Sequence, residues 1–252
     1  IDPAMNKIYK CNHNPLYSYC MDIRDFCATP DEDLPEELFH LDILDGSPPC
    51  SVFSTAGQRE RGWNKEKVFR EGQKEQRLDD LFFAFIDVAK KLKPKVIIAE
   101  NVKGLILKNA KGYVNEIVKA FRSAGYEPQM FLLNAIKMGV PQARERVFFI
   151  AHRIEDARPK LVLKFEEPPI PFGQVRSKVG IDVDPDTKAY ALLQKRRPGD
   201  GCMAKINERI GNKATGYTVN IIDDDRVCYT ITSGGGCYRA YDGKKFSDQD
   251  YV

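Results

Sequence analysis

Three short segments of the chain carry side chains that together could perform nucleophilic chemistry on a ring. Cys50 follows two prolines and a predicted strand, which holds its thiol in a fixed place, as a nucleophile requires. Glu100 also follows a predicted strand directly, and Arg144 and Arg146 alternate in a polar segment. A thiolate that adds to an electron-poor ring needs a proton donor and cations beside it, because addition builds negative charge. The three segments supply these groups.

The elements between these segments alternate between strand and helix patterns. The predicted elements are strand Leu38–Leu44, helix Leu78–Leu92, strand Val96–Ala99, helix Tyr113–Ala124, strand Tyr126–Leu133 and strand Val147–Ala151. This alternation predicts an α/β fold with a doubly wound sheet. Ligands of such sheets bind at the carboxyl ends of the strands, and Cys50 and Glu100 each follow a strand end. We therefore expect them in one site.

Each segment alone has an ordinary structural explanation. A free cysteine after a strand is more often a core residue than a nucleophile. Glu100 could cap a helix or pair with a lysine, and the segment from Gln142 to Arg146 could be a polar loop. The joint occurrence of all three, in one order and in matching contexts, favours the functional interpretation.

The order and context of these segments resemble the DNA cytosine-5 methyltransferase family of bacterial and phage type. The similar stretches are Gly46-Ser47-Pro48-Pro49-Cys50-Ser51-Val52-Phe53-Ser54, Ala99-Glu100-Asn101-Val102-Lys103-Gly104 and Gly139-Val140-Pro141-Gln142-Ala143-Arg144-Glu145-Arg146. The resemblance extends from about Cys11 to Arg153, with a weaker similarity near Tyr229 to Gly236. It implies a Rossmann-like sheet that binds S-adenosylmethionine and releases S-adenosylhomocysteine, with no metal.

The resemblance implies a catalytic role for four residues. Cys50 would add as a thiolate to carbon 6 of a cytosine, which makes carbon 5 nucleophilic enough to accept a methyl group. Glu100, protonated or sharing a proton with N3, would neutralise the charge on the ring. Arg144 and Arg146, which point to one face of an extended segment, would hold the base carbonyl oxygen and the Cys50 loop or a phosphate.

Part of the cofactor site is also implied. Asp22 resembles the acidic residue that accepts a hydrogen bond from the adenine amino group, and Ile23 would pack on the adenine ring. Pro49 and Leu81 would line the same pocket. The alternatives are that Asp22 is a turn carboxylate and that Leu81 is a core residue.

The resemblance further implies contacts with double-stranded DNA around a flipped cytosine. The loop Ser54–Trp63 would close over the DNA, and the segment Tyr229–Gly236 would approach the backbone of the flipped nucleotide. A solvated loop and a plain glycine-rich turn are the alternatives. The predicted DNA-binding residues are Ser51, Ser54, Arg59, Arg61, Lys65, Gln142, Thr230 and Thr232.

The chain also departs from the family pattern. Ser51 follows the nucleophile, where glutamine is common. No Phe-x-Gly-x-Gly segment, which would cradle the methionine part of the cofactor, precedes Cys50, and no acidic residue for the ribose is identifiable. The first five residues, Ile1–Met5, resemble an expression remnant. These absences, and that of the family's closing segments, are explained if the sequence is a truncated form. If the molecule itself ends at Val252, we expect cofactor binding to be impaired.

Composition and charge are consistent with an intracellular, reduced protein that binds a polyanion. The 252 residues, 42% of them hydrophobic and 30% charged, can bury a full core. The first 50 residues carry three Lys/Arg and ten Asp/Glu, and the remaining 202 carry 36 and 26. A basic surplus of this kind favours nucleic acid, although a solvated mixed-charge surface would look similar. The seven cysteines form no Cys-x-x-Cys pair, which argues against a disulfide framework and a zinc site.

Three regions are predicted along the chain. Residues 6–153 form a partial catalytic domain, residues 154–226 form a short target recognition region rich in Pro, Gly and Lys/Arg, and residues 227–252 form an incomplete return segment. The basic turn Lys195–Gly199 lies in the recognition region. We expect a monomer in the cytoplasm of a bacterium or phage host, associated with the nucleoid and paired with a cognate restriction endonuclease.

Two other functions stay open at this point. Related enzymes methylate a cytosine in transfer RNA, although the chain lacks the Cys-Phe-Thr signature expected of them. A catalytically silent DNA-binding remnant would explain the missing glycine-rich segment. The presence of Cys50, Glu100 and both arginines argues against the remnant, because a binding module needs no nucleophile.

Overall fold

The computed structural model describes residues 2–49, 80–107, 111–178, 180–212, 219–231, 238–240 and 243–246. The predicted site residues outside these ranges are Cys50, Ser51, Ser54, Arg59, Arg61, Lys65 and Thr232. Two compact units make up the chain: the first consists of Ile1–Leu133 and Arg146–Val162, and the second of Asn134–Glu145 and Leu163–Val252. The boundaries predicted after residues 153 and 226 stay predictions.

Helices and strands alternate along the first unit, which also contains most of β5. In chain order the elements are α1 Pro3–His13, α2 Ile23–Ala28, β1 Ile43–Gly46, α3 Leu81–Leu92, β2 Val96–Val102, α4 Lys111–Ser123, β3 Tyr126–Asn134, then β4 Gln142–Ala143 of the second unit, and β5 Glu145–Arg153. Short 3-10 turns at Asp31–Asp33, Glu36–His40 and Lys103–Ile106 connect them.

Four of these strands form a mixed sheet in the order β1-β2-β5-β3. β1 runs parallel to β2, with Gly46 opposite Ala99, and β5 runs antiparallel to β2. The predicted α/β class is therefore confirmed.

The core of the first unit lies on the face of β2 and β5 that carries Ile97, Ala99 and Phe149. Alternate residues of β2 are buried, as expected of a strand with one face on a core. The core cluster consists of Phe82, Phe85, Ile86, Ala89, Ile97, Ala99, Leu105, Tyr113, Ile117, Phe121, Tyr126, Val147, Phe149 and Ala151. Edge-to-face aromatic packing joins α3 to the sheet, with the ring centroids of Phe82 and Phe149 5.6 Å apart.

One predicted strand is partly wrong. The segment predicted as strand Leu38–Leu44 contains the end of the 3-10 turn Glu36–His40 before β1 begins at Ile43. The turn follows Pro35, whose ring fixes φ near the helical value and whose carbonyl accepts a hydrogen bond from the Leu38 amide at 3.1 Å. Hydrophobic residues alone do not distinguish such a turn from a strand.

Tyr126 gives the first unit a testable pH dependence. Its hydroxyl donates to the carbonyl of Pro94 at 2.8 Å, and burial raises its pKa from 10.0 to about 12. The pKa of Tyr126 is higher in the folded state than in the unfolded state. The hydrogen bond therefore stabilises the folded state fully below about pH 10, and this contribution is lost as the pH rises towards 12.

We expect Tyr126→Phe to lower the free energy of unfolding by about 1 kcal/mol at pH 8. This deficit should shrink or reverse near pH 11.5, because ionisation of the Tyr126 hydroxyl destabilises the parent protein there, and the variant has no such hydroxyl. Urea unfolding at both pH values measures the difference. Tyr229→Phe, at a more exposed tyrosine, is the control. A deficit that is constant with pH would contradict the assignment.

The second unit contains short elements around two small cores. After β4 these elements are α5 Phe172–Val175, β6 Ile181–Asp182, α6 Lys188–Leu193, α7 Met203–Arg209, β7 Ile221–Ile222, β8 Cys228–Tyr229, β9 Tyr238–Ala240 and β10 Lys244–Phe246. One sheet has the order β6-β10-β9-β7, and β4 pairs with β8 in parallel. The larger core consists of Val183, Ala189, Leu192, Leu193, Met203, Ile206 and Ile221, and the smaller one of Phe172, Ile222 and Cys228.

Within the predicted basic turn, Arg196 has a structural role. Its Nη2 lies 2.5 Å from the Asp223 carboxylate, and its side chain is buried. Among the described residues, no helix has the length and apolar character needed to cross a membrane, and no group of three or more His, Cys, Asp or Glu side chains could hold a metal ion.

Candidate active site

The turn that leads to Cys50 is fixed from two sides. Gly46 ends β1 against the ring of Phe85, where a Cβ atom would lie 2.5 Å from the ring, so only glycine fits without movement. Two residues later, the Pro48 carbonyl accepts a hydrogen bond from Asn101 Nδ2 at 3.1 Å. Cys50 itself lies outside the described residues, but both contacts hold the chain that precedes it.

Glu100 and Arg146 form an ion pair on adjacent strands. Val102 of β2 is opposite Arg146 of β5, so Glu100 and Arg146 are diagonal neighbours on the same face of the sheet. Arg146 Nε lies 2.7 Å from Glu100 Oε1. The Glu100 side chain is 28% exposed. This exposure leaves part of the side chain accessible to a bound molecule.

Asn101 is a functional candidate to which sequence reasoning assigned no role. It is only 3% exposed, and its Oδ1 accepts from the Val102 amide at 2.9 Å while Nδ2 donates to Pro48. A signal was present in the sequence: residues 97, 99 and 101 share the core-facing side of β2, and a polar side chain at such a position requires hydrogen-bond partners.

The predicted cofactor residues lie on three packed elements of the first unit. Asp22 precedes α2 and caps it, with Oδ1 accepting from the Arg24 amide at 2.8 Å. Ile23 is partly buried against the core, and Pro49 is exposed beyond β1. Leu81, the first residue of α3, is 8% exposed and is a core residue. The capping role of Asp22 and the burial of Leu81 match the alternatives that the sequence left open.

Gln142, Arg144 and Thr230 lie together in the second unit. Thr230 Oγ1 donates to the Ala143 carbonyl at 2.7 Å. Gln142 Oε1 accepts from the Ile231 amide at 3.2 Å, and Arg144 Nη1 donates to the Ile231 carbonyl at 3.5 Å. Arg144 and Arg146 were expected on one face, but Arg144 contacts Ile231 whereas Arg146 contacts Glu100.

The local backbone explains why the two arginines differ. Residues 140–144 form two consecutive γ-turns, each closed by a hydrogen bond between residues two apart. The Gln142 amide donates to the Val140 carbonyl at 2.7 Å, and the Arg144 amide donates to the Gln142 carbonyl at 3.0 Å. The strict alternation of side chains that holds in a regular strand therefore does not apply to Arg144.

Comparison with known proteins provides independent evidence for the identity of the chain. The family model described as C-5 cytosine-specific DNA methylase matches residues 1–219. The chain is 35% identical over 213 residues to the Type II methyltransferase M.FnuDI of Fusobacterium nucleatum, covering 81% of this chain and 56% of that protein. It is 33% identical over 228 residues to the Type II methyltransferase M.Sau96I of Staphylococcus aureus, covering 84% and 49%. The chain spans about half the length of the curated relatives it matches.

A solved structure supports the fold separately. A prophage-encoded methyltransferase of Escherichia coli assigned to DNA modification superposes with a TM-score of 0.56 at 18% identity, covering 92% of this chain and 74% of that one. At this identity the similarity shows the fold alone. The family match covers most of the sequence, and Glu100 and Arg146 lie on the mixed sheet of the first unit. The chain belongs to the C-5 cytosine-specific DNA methylase family.

Proposed function

We propose that this chain transfers a methyl group from S-adenosylmethionine to carbon 5 of a cytosine flipped out of duplex DNA. The observation that carries the proposal is the ion pair between Glu100 of β2 and Arg146 of β5, 2.7 Å apart. β1, which leads to Cys50, is the parallel neighbour of β2, and Gly46 is opposite Ala99. The chain that leads to Cys50 therefore leaves β1 one residue short of the level of Glu100 on β2, which supports one site for the two side chains.

The chemistry begins with addition of the Cys50 thiolate to carbon 6 of the ring. The new carbon–sulfur bond moves electron density to carbon 5 and N3, and Glu100 balances the charge at N3 by sharing or donating a proton. Carbon 5 then takes the methyl group. Loss of the proton at carbon 5 and departure of the Cys50 thiolate restore the aromatic ring.

Arg146 holds Glu100 for this task. A guanidinium that donates to a carboxylate oxygen forms a charge-assisted hydrogen bond, which is shorter and stronger than a neutral one. The pair orients the carboxyl group before the base arrives, and preorganisation of this kind is a main source of electrostatic catalysis. A guanidinium carries five N–H donors, and the base carbonyl oxygen is the acceptor that we assign to Arg146 in the bound complex.

The residues around α2 fit the adenine end of the cofactor. Asp22 is 23% exposed, and a carboxylate that accepts one backbone hydrogen bond keeps lone pairs for an amino group. Ile23 and Pro49 would contribute apolar contacts, and Leu81 would support them from the core. Bound S-adenosylmethionine supplies the electrophilic methyl group.

The proposed reaction implies a DNA substrate and a partner enzyme. We assign double-stranded DNA as substrate and expect Arg59, Arg61 and Lys65 to contact its phosphates, which would make binding strongly salt-dependent. A monomer in the bacterial or phage-host cytoplasm, acting beside a cognate restriction endonuclease, fits an enzyme of this class.

Asn101 provides a test of the positioning of the nucleophile. Asn101→Ala leaves the partly buried Pro48 carbonyl without its donor, and the loss of such a hydrogen bond costs about 0.5–1.5 kcal/mol. We expect kcat for methyl transfer to fall about tenfold or more, since misplacing a reacting group is costly. The measurement is single-turnover methyl transfer at saturating DNA.

Asn207→Ala is the matched control for Asn101→Ala. Asn207 is the other buried asparagine among the described residues, and it lies in the second unit with its Oδ1 bonded to Asn212. It should lower stability without a comparable loss of kcat. Equal losses of kcat in both variants would contradict a specific role for Asn101.

Transfer of labelled methyl from S-adenosylmethionine, to mixed-sequence duplex DNA and to total transfer RNA, tests the proposed function. 5-Methylcytosine in DNA alone supports the proposal. Label in RNA alone would assign the protein to the transfer RNA enzymes, and label in neither, with DNA binding retained, would favour a silent DNA-binding protein.

A further inference from the structure

Three hydrogen bonds hold the backbone around Ile231 to residues 142–144. Gln142 Oε1 accepts from the Ile231 amide, and Arg144 Nη1 donates to the Ile231 carbonyl. The Thr230 hydroxyl donates to the Ala143 carbonyl. The parallel pairing of β4 with β8 adds backbone contacts directly before them, with Ala143 opposite Tyr229. We call the side chains of Gln142, Arg144 and Thr230 the clasp.

We propose that the clasp residues act as positioning residues that anchor the return segment of the recognition region, and that they are not direct DNA contacts. The proposal rests on the proposed DNA methyltransferase function, and it replaces the phosphate and base roles expected for these side chains.

Hydrogen-bond capacity supports the proposal. The Thr230 hydroxyl has one proton, which it donates to the Ala143 carbonyl at 2.7 Å, so it has none left for a phosphate oxygen. The amide oxygen of Gln142 accepts from Ile231. The hydroxyl proton of Thr230 and the amide oxygen of Gln142 are therefore both directed at the protein backbone.

The residues around the clasp are buried or hydrogen-bonded to the backbone, as expected of an anchoring site. Cys228 is fully buried with Phe172 and Ile222, and Ile231 packs against this cluster. On the other side, the Ala135 amide donates to the Arg144 carbonyl at 2.9 Å. The residues that follow Ile231 are Thr232-Ser233-Gly234-Gly235-Gly236.

Amide hydrogen exchange of the free protein tests the anchor without DNA or activity. Gln142→Ala should raise the exchange rate of the Ile231 amide about tenfold, the size of one net hydrogen bond, whereas Gln142→Glu keeps the acceptor oxygen and should preserve protection. Gln129→Ala is the matched control, because Gln129 clasps the backbone of Leu161 in the same way in the first unit. This variant should raise the exchange rate of the Leu161 amide and leave that of the Ile231 amide unchanged. Unchanged exchange at Ile231 in Gln142→Ala would overturn the proposal.

Salt dependence separates an anchor from a phosphate contact. Loss of one phosphate contact lowers the slope of log affinity against log salt by about 0.9. For Arg144→Gln we expect weaker DNA binding, with a raised KM for DNA, but an unchanged slope. If the two side chains act as a unit, Thr230→Val combined with Gln142→Ala should lower the DNA affinity little more than either substitution alone. A slope lowered by about 0.9 would overturn the anchor role of Arg144. If methyl transfer to DNA is absent altogether, the proposed function fails while the exchange result still decides the anchor.

Discussion

Replacement of Cys50 by alanine is expected to abolish methyl transfer and to leave DNA binding largely intact. Without the thiolate, carbon 5 of cytosine is not nucleophilic enough to attack the methyl donor. Loss of a covalent nucleophile commonly costs at least about 10⁴-fold in rate. The measurement is single-turnover transfer of labelled methyl to DNA, with affinity measured separately at fixed salt.

A substrate with fluorine at carbon 5 makes the test for Cys50 more direct. Fluorine then stands in place of the proton that must leave carbon 5 and cannot depart as a cation, so the parent protein should remain covalently attached to the DNA, and Cys50→Ala should not. Cys11→Ala, which alters an exposed thiol of α1, is the control and should behave like the parent. Normal turnover by Cys50→Ala would refute the nucleophile assignment.

Glu100→Gln is expected to reduce kcat about 10²- to 10³-fold, the usual contribution of a positioned acid–base group. The amide keeps the size of the side chain but cannot share its proton with N3. Arg146→Ala should lower kcat to a similar extent, because it removes the charge 2.7 Å from Glu100 Oε1. If the two residues act as a unit, the double variant should be no slower than the slower single variant.

The first unit offers a matched ion pair as the control for this cycle. Arg122 and Glu127 are also 2.7 Å apart, but both are exposed, and such surface pairs are worth about 0–1 kcal/mol. Substitutions at both positions should leave methyl transfer unchanged. Strictly additive losses at Glu100 and Arg146 would show that the two side chains act independently and would contradict the proposed role of Arg146.

The sequence predicted the elements that bury alternate residues better than the connections between them. β2 and α3 follow from apolar patterns with clear ends, such as Pro94 after the helix, and they were found within a few residues. The strand predicted from Leu38 begins only at Ile43, because the 3-10 turn Glu36–His40 follows Pro35. A local pattern of hydrophobic residues contains no information about that choice.

Contacts between distant residues explain why parts of the candidate site were missed. The pairing of Glu100 with Arg146 depends on the register of β2 and β5, and the engagement of Arg144 depends on a residue 87 positions later. Arg196 was grouped with its basic neighbours, although Asp223 binds it inside the second unit. Charge runs in a sequence do not reveal which members are already paired.

The alternation along β2 has a consequence for how the chain tolerates change. Ile97, Ala99 and Asn101 face the core, and Glu100 lies on the opposite face. A slip of one residue would place a carboxylate among apolar side chains, which costs several kcal/mol, and would move the asparagine away from Pro48. A slip of two residues would keep the faces but separate Glu100 from Arg146. Insertion or deletion of a single residue between Val96 and Val102 should therefore destabilise the fold and displace the reactive carboxyl group at the same time. The burial of the residues on either side of Glu100 thus keeps Glu100 in register with Arg146.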